Sequence, residues 1–104
     1  MKGKKCDDGK IKMGMVFSYF AKPLTLIAKC GTYGRNKYAK DEHWDTNWHR
    51  VANGSERYTD AALRHIMAHL GGEVYDKESG LPHLAHAAWG LCAVMALDER
   101  IEDE

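Results

Sequence analysis

The chain has 104 residues, 44% of them apolar, and carries 15 Lys+Arg against 15 Asp+Glu. That length gives one domain, which leaves much of its surface exposed unless copies associate. Zero formal charge excludes a strong overall field toward nucleic acid or anionic lipid, and the apolar fraction excludes wholesale disorder. Basic residues concentrate in the first 40 positions and acidic ones in the closing "DERIEDE".

Cys6, Cys30 and Cys92 are an odd number without a C-x-x-C pair, which fits a reducing cytosol better than a disulfide framework. No apolar run is long enough to span a bilayer. Lys22 and Pro23 split the one stretch apolar enough for a signal peptide, and no small-residue cleavage site follows. The expectation is a cytoplasmic protein with no membrane and no nucleic-acid partner.

In chain order, residues 1–21 read as an N-terminal arm or lid, with "MVFSYF" (15–20) as a short strand-like piece or a cover over the rest. Residues 22–104 read as a single helical domain. Pro23 suits a first helical turn, and the helix runs on through "LTLIAKCGTYGRNKYA" with Leu24, Ile27 and Ala28 as its apolar face. Gly31 and Gly34 each cost that helix about 1 kcal/mol relative to Ala, which points to a frayed end or to something approaching the backbone closely. "KDEHWDTNWHRVANGSE" (40–56) has no period and reads as a functional loop.

Ser55 is the expected N-cap of a helix over about 56–70, stopped by Gly71-Gly72. Its stripe is Thr59, Ala62, Leu63, Ile66, Met67 and Leu70. A last helix is expected from Pro82 to about Leu97, burying Leu84, Ala88, Leu91, Cys92 and Met95, with small residues that allow close helix approach. The fold class is all-α. A thin bundle of this kind is completed by oligomerisation, and a homo-oligomer is expected.

The chemistry concentrates in "GGEVYDKESGLPHLAHAAWG" (71–90). Glu73, Asp76 and Glu78 precede His83 and His86, whose i, i+3 spacing puts both imidazoles on one helix face. His65 and His69 share a face of the preceding helix, so antiparallel packing brings His69 and the turn acids toward His83 and His86. Carboxylate oxygens with imidazole nitrogens suit Mg²⁺ or Mn²⁺ and not a structural zinc. Carboxylates at a helix start are also favoured by its dipole alone. A second group sets Arg35, Lys37 and Lys40 among Tyr33, Tyr38, Trp44 and Trp48, which could hold phosphates and stack a base, or form a solvated basic face with anchored Trp residues.

"YGRNKY", "NW", "DAALRH", "GGE" and "D-x-ESGLPHLAHA", in that order, resemble the phage dATP/dGTP diphosphohydrolase family, a MazG-like group. The resemblance implies a small MazG-like helical bundle. It also implies metal-dependent hydrolysis of a purine (deoxy)nucleoside triphosphate to monophosphate and pyrophosphate. It marks Lys37, Tyr38, Asn47, Trp48 and Arg64 as nucleotide-binding. His65, Glu73, Asp76 and His86 would hold the Mg²⁺ or Mn²⁺, and Glu78 or His83 would activate water. No E-x-x-E precedes "EVYD" (73–76), although MazG-type enzymes carry that half of the metal motif. Its loss is what the alternative would show: a non-catalytic phage sponge that sequesters a nucleotide second messenger of host defence.

Overall fold

The computed structural model describes residues 2–38 and 44–102. Among these every regular element is helical: α1 (Met13–Tyr19), α2 (Ala21–Lys37), a 3₁₀ segment (Trp44–Arg50), α3 (Gly54–Leu70) and α4 (His83–Leu97). None of the described helices is long and apolar enough to cross a membrane. The expected all-α architecture holds.

The arm is not strand-like. Residues 13–19 form α1, with no residue buried. A lone strand would leave its backbone groups unpaired, whereas a helix satisfies them internally. Pro23 falls in the first turn of α2 as expected, where a missing N–H costs nothing. The long loop is shorter than expected, because residues 44–50 wind into 3₁₀ turns. Lys40 lies outside the described residues.

Asn53, at φ 56°, is the N-cap of α3, and Ser55 sits inside the helix. The start moves upstream because Gly54 is wedged against α4: a Cβ there would lie 3.3 Å from Leu97 Cδ1. Gly71 and Gly72 end α3 as expected, Gly72 at φ 101°.

α3 and α4 pack antiparallel, with Gly54 at Leu97, Ala62 at Gly90 and His65 at His83. A Cβ on Gly90 would stand 3.3 Å from Tyr58 O and 3.4 Å from Ala62 Cβ, so the two backbones approach closely. The buried face of α4 is accordingly His83, Ala85, Ala87, Gly90 and Ala93. This reverses the expected face: Leu84, Leu91, Cys92 and Met95 are exposed, and Ala88 is half-buried. On α3, Ala62 is buried while Leu63, Met67 and Leu70 are exposed. Side-chain volume explains the reversal, since only the small-residue face permits this helix spacing. Among the described residues no large side chain is fully buried, and the Cα radius of gyration is 17.1 Å, against about 13 Å for a compact domain of this length.

Candidate active site

α2, the 3₁₀ segment, α3, the 71–82 turn and the start of α4 surround a pocket of about 770 Å³. That lies within the range of small-molecule sites. Lys37, Tyr38, Asn47, Trp48, Arg64, His65, Asp76, Glu78 and His86, all expected from sequence, line it. Glu73 and His83 do not; His83 lies against His65 on the side away from Glu73, which is its other partner.

The turn builds the acidic side. Asp76 N–H donates to Leu81 O (2.8 Å), Gly80 N–H to Asp76 O (2.8 Å) and His83 N–H to Val74 O (2.9 Å). Gly80 takes φ 74°, a conformation that side chains disfavour. Asp76 Oδ2 accepts the Ser79 N–H at 3.0 Å, and Ser79 Oγ lies 2.7 Å from His86 Nε2. Burial opposes ionisation of Asp76, but the Ser79 hydrogen bonds, then His86 and His65, hold its carboxyl below the usual range.

The imidazoles form a chain. His83, 5% exposed, has Nε2 2.8 Å from Glu73 Oε1 and Nδ1 2.8 Å from His65 Nδ1. The His65 ring stacks on His86 at 4.8 Å and 13°. Burial, then the neighbouring imidazoles His86 and His83, pushes His65 down. Burial likewise lowers His86, against the opposing pull of Asp76. His69 does not join this chain, and its Nδ1 is buried without a hydrogen-bond partner. The antiparallel register presents His65 to His83, leaving His69 one turn beyond.

Glu78 is spoken for. Its Oε1 accepts from Tyr33 Oη and from Lys37 Nζ, both at 2.7 Å, and these two donors hold the carboxyl below its ordinary value. The four residues expected to hold a metal do not come together as one ligand set, since Glu73 and His65 both face His83. Asp76 Oδ2 and His86 Nε2 stand 3.8 Å apart. Among the described residues no three His, Cys, Asp or Glu side chains are disposed to hold a metal ion.

An aromatic wall closes the other end. Trp89 meets Trp48 (5.9 Å) and Tyr58 (5.6 Å) edge to face, and Tyr58 Oη donates to Trp48 O at 2.8 Å. Trp89 lies so close to α2 that a Cβ on Gly31 would be 2.9 Å from its Nε1. Close approach therefore explains Gly31, whereas nothing lies within 4 Å of a Cβ on Gly34. Sequence reasoning missed Trp89, Tyr58 and Arg57. The signal was available: Trp89 continues the His83–His86 spacing, and Arg57 shares a face with Arg64 seven residues on. Burial also raises the Cys30 thiol in this wall, to about 11, with Asp76 adding to the effect.

The family model for the N-terminal region of dATP/dGTP diphosphohydrolase matches residues 1–104. A dATP/dGTP diphosphohydrolase of Salmonella phage PMBT28 is 32% identical over 97 residues, covering 93% of this chain. The chain spans about 30% of the length of that relative. No solved structure matches it. With its whole length matched, the chain belongs to the dATP/dGTP diphosphohydrolase N-terminal family.

Proposed function

We propose that the pocket binds a purine deoxynucleoside triphosphate and hydrolyses it to monophosphate and pyrophosphate. One observation carries this reading: three chemistries converge on a single cavity of nucleotide size. Trp48, Trp89 and Tyr58 offer faces and edges for a base, and Asn47 a polar edge beside them. Lys37, Arg57 and Arg64 offer cations for phosphate oxygens. Asp76, Glu78, His65 and His86 offer carboxylates and imidazoles for the reacting end. Similarity to the dATP/dGTP diphosphohydrolase of the Salmonella phage supports the same substrate class.

In this reading Asp76 would meet a Mg²⁺ or Mn²⁺ carried in by the triphosphate, and such an ion would supply charge neutralisation at the phosphates. Lys37 must exchange its Glu78 partner for phosphate, so Glu78 guards the phosphate end until the nucleotide arrives. The 22–104 unit acts as the nucleotide-binding domain, with residues 1–21 as its arm, in the host cytosol where nucleotides are held. Exposed Leu63, Met67 and Leu70 on α3, and Leu84, Leu91 and Met95 on α4, support a homo-oligomer that covers them.

The commitment of Glu78 to Lys37 and Tyr33 favours one other reading, a sponge that binds a defence nucleotide without cleaving it. A single experiment separates the two. The protein is incubated with a panel of deoxynucleoside triphosphates and Mn²⁺, denatured, and the nucleotides are separated. Hydrolysis predicts monophosphate and pyrophosphate from dATP or dGTP. Tight binding with intact recovery predicts the sponge and ends the hydrolase reading for the ligands tried.

A further inference from the structure

We propose that Glu73 and His83 form a relay that holds His65 with its proton on Nδ1, leaving Nε2 as the acceptor that takes a proton from the attacking water. The inference rests on the hydrolytic reading and assigns its general base.

A carboxylate oxygen accepts, so His83 Nε2 donates to Glu73 Oε1 across the 2.8 Å contact. A His83 ring that carries this one proton keeps a lone pair on Nδ1, and across the 2.8 Å Nδ1–Nδ1 contact His65 Nδ1 is then the donor. His65 lines the pocket, while Glu73 and His83 do not. With Nδ1 committed backward, Nε2 is the ring nitrogen left to meet a ligand. Stacking on His86 at 4.8 Å fixes the plane of the ring. A buried histidine between a carboxylate and a second histidine is otherwise unused by the site, and Glu78 is already shared by Tyr33 and Lys37.

In the step itself, a water O–H proton passes to His65 Nε2 as the water oxygen bonds to one phosphorus of the α–β bridge. The P–O bond from that phosphorus to the bridging oxygen breaks, and its electron pair leaves on the departing group. The products are monophosphate and pyrophosphate. His65, briefly carrying both ring protons, keeps Nδ1–H toward His83 and returns the Nε2 proton to solvent. Glu73 and His83 are positioning residues, because they set the tautomer and touch no substrate.

The test uses the ligand-free protein first. Long-range ¹H–¹⁵N correlation spectra of the histidines should show His65 protonated on Nδ1 and His83 on Nε2. His65 protonated on Nε2 overturns the relay. Glu73→Ala should then remove the tautomer bias and lower kcat for dATP or dGTP by about 100-fold or more, with KM within about twofold. Glu73→Gln, which keeps an acceptor oxygen, should retain part of the rate. An active wild type with Glu73→Ala equal to it overturns the base role alone. A wild type that returns every nucleotide intact overturns the hydrolytic reading and the base role together, and the spectra still decide the relay.

Discussion

Gly31→Ala and Gly34→Ala, two identical substitutions one turn apart on α2, should differ in stability, with only Gly34→Ala stabilising. Each adds a methyl group to a helical position and gains about 0.8–1 kcal/mol of helix propensity. At Gly34 nothing lies within 4 Å of the new carbon, so that gain is kept, less some fraying near the end of α2. At Gly31 the carbon would sit 2.9 Å from Trp89 Nε1. An indole cannot bend aside as a lysine tip can, and Trp89 is held edge to face by Trp48 and Tyr58. Overpacking of this kind costs roughly 1–3 kcal/mol. The net for Gly31→Ala is therefore between no change and a loss of about 2 kcal/mol. The difference between the variants cancels the propensity gain and isolates the packing cost, about 1–3 kcal/mol. Urea titrations followed by far-UV dichroism give both values, and tryptophan fluorescence should shift for Gly31→Ala only. Equal stabilisation by the two substitutions would refute the close approach of Trp89 to α2.

If the pocket holds a nucleotide as proposed, Lys37→Ala and Arg64→Ala should each weaken its binding by roughly 1.5–3 kcal/mol in calorimetric titration, the loss expected for a charge-assisted phosphate contact. Unchanged isotherms for both would remove the basic rim from the site. Acid should destabilise the fold through His65 and His86, which burial holds below the ordinary histidine value. The unfolded chain then binds more protons below about pH 6.5, so this stability is complete above that value and falls as pH drops toward the folded pKa values. Urea midpoints should decline over that window, less steeply in a His65→Asn, His86→Gln double variant; a midpoint that rises on acidification contradicts the assignment. Light scattering at micromolar concentration should give at least a dimer mass, and Leu91→Glu should shift it toward monomer. A monomer mass for the wild type would count against a shared core.

Local rules sufficed for much of this protein. Pro23, the Gly71-Gly72 stop and the Pro82 start are local signals, and they bound α2, α3 and α4 almost as observed. The spacing of Glu73, Asp76, Glu78, His83 and His86 placed all five at one turn, because neighbours in sequence there have nowhere else to go. What periodicity could not decide was which face of α4 turns inward. Its apolar residues run nearly all round the helix, so hydrophobicity does not discriminate, and the choice fell to volume: Gly90 against Ala62 lets two backbones meet where Leu91 or Met95 would hold them apart. The partner of His83 was undetermined for the same reason. His65 and His69 are equivalent by spacing, and only the antiparallel register set by Gly54–Leu97 and Ala62–Gly90 brings His65 to within 2.8 Å and leaves His69 outside. The role open to Glu73 also came from the tertiary structure. A carboxylate in a turn can meet an ion or an imidazole with equal ease, and it is the packing of the buried His83 that puts an imidazole 2.8 Å from Glu73 Oε1.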